Sequence, residues 1–145
     1  MPRMEQIERD IIEEFEYLCE PLERYEYLID IGKKMNDFDE KLRTEQNIVK
    51  GCQSTVWLAG ALQADGTMHY QADSNTVITK GIIALLLRVL NGQTPDIVQT
   101  APLNFIDAID LRSHLSAQRS NGLNAMVQRI RQIAAQAQSS KPPLS

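Results

Sequence analysis

The sequence predicts an α+β domain, with helices packed against a small antiparallel sheet of three strands. Three observations point to it. Apolar residues recur at helical spacing near both ends of the chain, at Ile7, Ile11 and Phe15 and again at Leu123, Met126, Val127, Ile130, Ile133, Ala134 and Ala137. β-Branched and aromatic residues gather instead in residues 47–72, broken by Gly51 and by Asp65-Gly66. Residues 77–90 are apolar almost all round, as in a helix buried on a sheet.

The first helix spans about residues 5–18, its apolar stripe backed by acidic residues on the solvated side. Pro21 opens a second, in which Leu22, Tyr25, Leu28 and Ile29 keep helical spacing until Gly32 supplies a stop. Residues 33–46 are polar and aperiodic, which predicts a surface loop. Strands follow over residues 47–50 and 55–62, joined by Gly51-Cys52-Gln53-Ser54, and a turn at Asp65-Gly66 leads into a third over 67–72. Asp73-Ser74 offers a cap for the buried helix, which Asn91-Gly92 ends. Thr94-Pro95-Asp96 starts a short helical turn, and residues 101–109 read as another brief helix. The final amphipathic helix covers residues 120–138. These elements make one domain, residues 1–138, and the Pro- and Ser-rich residues 139–145 are predicted to be a disordered tail.

Charge and composition exclude several classes. Fifteen Lys and Arg against nineteen Asp and Glu give a net charge of -4, without the basic stripe of a nucleic-acid binder. No stretch is apolar for long enough to span a bilayer, and the N-terminus lacks a signal core, so the expected location is the cytoplasm or a comparable reducing space. In that setting Cys19 and Cys52, the two cysteines, are expected to stay free thiols. With His69 and His114 they lack the spacings that set metal ligands side by side, so neither a zinc site nor a cluster is predicted. The glycines form no phosphate-binding fingerprint, and Lys80 reads as a lysine that covers apolar surface and reaches solvent.

Cys52 stands apart because Gly51 lets the chain turn sharply just before it and Gln53 and Ser54 follow. Two readings of the residues remain open: a buried apolar cysteine, or a reactive thiol on a loop. For the second, Lys50 is near in sequence and Arg119 is a candidate to approach in space. Cys19 lies beside Glu20 and near Glu16, which disfavour its thiolate, and it reads as structural.

The stretches Ile48-Val49-Lys50-Gly51-Cys52-Gln53-Ser54-Thr55-Val56-Trp57-Leu58, Ala72-Asp73-Ser74, Lys80-Gly81, Gly92-Gln93-Thr94-Pro95 and His114-Leu115-Ser116-Ala117-Gln118-Arg119-Ser120-Asn121-Gly122-Leu123 resemble the SufE family of sulfur acceptors in order and spacing. One departure is Met35-Asn36, where relatives often carry Leu-Pro. The resemblance implies an α+β fold shared with IscU-like cluster scaffolds. It implies an accessory protein rather than an enzyme, with no cofactor or metal of its own. Such a protein takes persulfide sulfur from a pyridoxal-phosphate cysteine desulfurase of the SufS kind onto the residue matching Cys52, stimulates the desulfurase, and delivers sulfur to a SufBCD-like iron–sulfur scaffold complex. It also implies that Arg119 stabilises the thiolate or persulfide, and that Asp73 holds the cysteine loop or meets the donor.

A carrier should bury its sulfur between transfers, which predicts a mobile loop over residues 51–54 and a small apolar pocket lined in part by Trp57. The alternatives are a cysteine-nucleophile hydrolase with His69 or His114 as base, an acceptor for a paralogous desulfurase, and a binding module in which Cys52 is incidental. No leftover apolar stripe demands self-association, and either a monomer or a homodimer is expected.

Overall fold

The stripe of Ile7, Ile11 and Phe15 builds helix α1 (Met4–Glu16), which buries Ile11 and Phe15. The computed structural model describes residues 4–18, 20–35, 37–111, 115 and 117–140. The acidic face of α1 is not wholly solvated: Glu8 is buried, and its carboxylate accepts a hydrogen bond from the Phe105 backbone N–H at 3.0 Å. Helix α2 (Pro21–Lys34) begins on Pro21 but runs past Gly32. That glycine answers to packing and not to a helix stop. A Cβ on Gly32 would lie 2.3 Å from the Val77 carbonyl oxygen, and one on Gly81 would lie 2.0 Å from that of Leu28. Two glycines thus let α2 cross the buried helix α3 (Val77–Leu90) backbone to backbone.

The sequence predicts three strands, and the described residues form two, β1 (Val56–Leu62) and β2 (Met68–Ser74), paired antiparallel from Val56 opposite Ser74 to Leu62 opposite Met68. Residues 47–50 do not form the missing strand. Asn47 closes a 3-10 turn (Glu45–Asn47) and donates to the Leu42 carbonyl at 2.8 Å, while Gly51 turns the chain at φ +95°. Between them only a bridge from Ile48 to Trp57 and a bond from Val49 N to Val56 O at 2.8 Å remain. The loop leading there carries a second 3-10 turn (Glu40–Leu42), capped by Asp39. Asp73 and Ser74, expected as the cap of α3, are the last residues of β2, and the N-cap position belongs to Thr76.

Helices α4 (Pro95–Thr100) and α5 (Phe105–Ala108) follow. The helix expected over 101–109 shrinks to four residues because Leu103 and Asp110 take φ of 53° and 57°, which breaks the helical path on either side. Helix α6 (Ala117–Ser140) is longer than residues 120–138, so Ser139 and Ser140 are helical; 141–145 lie outside the described residues. Its buried face, Leu123, Met126, Ile130 and Ala134, covers β1 and α4. Tyr70 of β2 donates to the Ile130 carbonyl at 2.9 Å, which fixes how α6 lies on the sheet. No helix of the described residues is long and apolar enough to cross a membrane.

Candidate functional site

The turn at Lys50-Gly51 delivers Cys52 to the second turn of α6. Its half-buried thiol donates to the Gly122 carbonyl at 3.6 Å. A Cβ on Gly122 would come to 3.5 Å from Sγ, so the glycine leaves room beside the sulfur. That room is part of a cavity of about 60 Å³. Ile82 and Met126 supply apolar wall, Ser54 and Thr79 supply hydroxyls, and Arg119 supplies the cation.

The loop is fastened on both sides of the cysteine. Before it stands the Val49 to Val56 backbone bond. After it, the Thr76 hydroxyl lies 3.0 Å from Ser54 Oγ and 2.8 Å from Thr79 Oγ1, with Thr79 Oγ1 and Ser54 Oγ 3.4 Å apart. The Ser74 hydroxyl donates to the Thr55 carbonyl at 2.8 Å, and Thr55 N donates to Asn75 Oδ1 at 3.0 Å. This hydroxyl cluster ties the cysteine loop to the start of α3, and sequence reading missed it. The signal was there in Ser54, Thr76 and Thr79, but they lie on two elements whose approach no local pattern reveals.

Burial pushes the Cys52 thiol above its ordinary pKa, which disfavours the thiolate in the resting site. Arg119 lines the same cavity, with its guanidinium 5.9 Å from the centre of the Tyr25 ring. Lys50 faces elsewhere: it is exposed and lines a separate recess with Arg129. Asp73 is not among the residues around the thiol. Its carboxylate accepts from Arg43 at 2.8 Å and pairs with Lys80 at 3.2 Å, so Lys80 is an ion-pair partner and not simply a solvated lysine. Burial raises the Asp73 pKa, but Arg43, the Ser74 N–H and Lys80 outweigh it, and the net shift is downward.

Trp57, expected beside the cysteine, is not in the cavity wall. Successive strand residues face opposite sides. Val56 and Leu58 point into the core, so Trp57 points out, where the Arg43 guanidinium stacks on it at 4.6 Å. His69 is exposed and lines another recess with Gln71 and Arg88, not the cysteine cavity. His114 and Cys19 lie outside the described residues. Among the described residues, Cys52 is a free thiol and no three potential metal ligands gather.

Residues 9–134 match the SufE family profile, an Fe-S metabolism associated domain. The chain belongs to the SufE family. Similar SufE-like proteins include an uncharacterized one of Rhizobium meliloti, 35% identical over 86% of this chain and 91% of its own length. Another, from Rhizobium etli, is 37% identical over 86% of each. SufE-like protein 1, chloroplastic/mitochondrial, of Arabidopsis thaliana is 35% identical over 87% of this chain, which spans about a third of that longer protein, 34%. A hypothetical protein of Thermus thermophilus, solved in solution, superposes with a TM-score of 0.75 over 92% of this chain and 97% of its own, at 21% identity, and shares the fold. The SufE match covers the cysteine loop, α3 and most of α6, the three elements that line the cavity.

Proposed function

We propose that this protein accepts sulfur as a persulfide on Cys52 from a pyridoxal-phosphate cysteine desulfurase, stimulates that enzyme, and passes the sulfur to iron–sulfur cluster assembly through a SufBCD-like scaffold. The observation that carries the proposal is a free cysteine in a SufE-family chain whose sulfur borders a cavity of about 60 Å³. That space is roughly two water molecules' share of liquid volume, enough for one added sulfur atom.

The transfer is a thiol exchange. Cys52 loses its proton to solvent or to a donor-side base, and the thiolate attacks the terminal sulfur of the donor persulfide. The new Sγ–S bond forms as the donor's S–S bond breaks. The donor cysteine leaves as a thiolate and takes up a proton, and no outside oxidant or reductant is consumed. The raised pKa of the resting thiol supports a carrier that is quiet until docking changes its surroundings.

Arg119 stabilises the anionic sulfur, as thiolate first and persulfide afterwards. Asp73 acts at one remove: by pairing with Lys80 it joins the end of β2 to α3, the helix that carries Thr79 and anchors the cysteine loop. The chemistry suits a reducing compartment such as the cytoplasm, where the thiol stays available.

The test is to incubate the protein with a desulfurase and cysteine and map added sulfur by mass spectrometry. One added sulfur atom on the peptide containing Cys52, absent from Cys52→Ser, is the expected result. Sulfur found only on Cys19 would overturn the reading.

A further inference from the structure

Beside the cysteine loop lies a second recess of about 300 Å³, which Arg119 does not line. Its floor is Ile48, Val49 and Ala125. Gln46, Gln128 and Gln132 stand around it, and Lys50 and Arg129 supply its charge. No aspartate or glutamate lines it, and neither cation takes part in any ion pair among the described residues. The sequence explains the arrangement: Ala125, Gln128, Arg129 and Gln132 fall at helical spacing on one face of α6, and the turn before Cys52 sets Lys50 opposite them.

We infer that this recess seats an acidic peptide segment of the sulfur donor, and that Lys50 and Arg129 orient the donor on the Cys52 loop. The inference rests on the sulfur-acceptor reading and adds the chemistry of the docking surface. Charge complementarity carries it. On a chain of net charge -4, this recess brings two cations together with no carboxylate among its lining residues, which favours an acidic segment. The glutamine amides suit a peptide backbone, since they both donate and accept hydrogen bonds. Position adds to this: Lys50 is two residues before Cys52, and a Cβ on Gly51 would lie 3.3 Å from Ala125 Cβ, so the recess adjoins the start of the cysteine loop.

The experiment measures binding of the desulfurase to the Cys52→Ser protein, in which no sulfur moves, as Kd and association rate against salt. Lys50→Glu with Arg129→Glu should raise Kd about tenfold or more, slow association and flatten the salt dependence. Arg129→Lys should stay near the parent. Arg9→Glu, at an exposed site on α1, serves as the charge control and should shift Kd by no more than about twofold. In a Cys52-containing chain, an unchanged rate of iodoacetamide alkylation shows that the double variant keeps its cysteine loop. Unchanged Kd and salt dependence would overturn the inference while leaving the acceptor reading intact. Sedimentation showing that wild-type chains self-associate through these two cations would also overturn it, by assigning the recess to a second copy. Failure of the wild-type protein to take sulfur would instead overturn the acceptor reading.

Discussion

At Cys52 the deciding quantity is protonation. Burial holds its pKa above that of a free cysteine. Alkylation by iodoacetamide at pH 7 should therefore be slower than for a cysteine in an unfolded peptide, and the rate should rise with pH through a midpoint above the ordinary thiol value of about 8.5. The sign for stability follows. Above that ordinary value the unfolded chain has lost the thiol proton while the folded chain keeps it, so stability falls as pH rises toward the raised pKa. A urea titration at pH 7 and pH 10, compared with Cys52→Ser, isolates the effect; equal losses in both proteins would refute it. Much at this scale was legible from the sequence, because Gly51 before a cysteine in a short polar linker marks a sharp turn. The direction of the pKa was not, since it depends on Ile82, Met126 and α6 closing around the sulfur, contacts made across long stretches of chain.

The loop and α3 meet through hydroxyls, and their exchange of partners sets how firmly the cysteine is held. Thr79→Val keeps the shape of a buried side chain and removes its part in the cluster with Ser54 and Thr76. At about 1 kcal/mol for a hydrogen bond, the variant should expose the loop several-fold more often. Faster alkylation of Cys52 and faster amide exchange at residues 51–54 would register it, with Thr79→Ser close to the parent. A different constraint governs the crossing of α2 and α3, where Gly81→Ala would drive a methyl into the Leu28 carbonyl. That overpacking should cost about 3 kcal/mol, measured by denaturant unfolding, whereas Gly66→Ala, whose Cβ would meet nothing within 4 Å, should lose only the cost of its positive φ. The helices were readable because periodicity is local. The strand predicted over 47–50 failed because β propensity says nothing about whether a 3-10 turn before it and a glycine turn after it leave room for a ladder.

For the molecule as a whole, two ion pairs tie other elements to α3, one from far along the chain and one from the strand just before it. Glu14 of α1 meets Arg88 at 2.6 Å, and Asp73 at the end of β2 meets Lys80. Hydrogen bonding from Arg88 lowers the Glu14 pKa against the opposing effect of burial, and the Asp73 pKa is lowered as well. Carboxylates with depressed folded pKa values stabilise the fold above their unfolded pKa and lose that contribution as pH falls through the folded value. Stability should decline below about pH 4 and the decline should be shallower in a Glu14→Gln, Asp73→Asn protein, as followed by thermal unfolding from pH 7 to pH 3. The overall α+β layout was legible because it is the sum of local patterns, while these ties between segments were not. The outward-facing Trp57, the chain's sole tryptophan, gives the layout an optical consequence. Its indole lies under Arg43, which also holds Asp73, on the opposite side of β1 from the core. Tryptophan emission is thus a built-in gauge of that salt-bridged corner, and it should stay dark to the arrival of sulfur on Cys52.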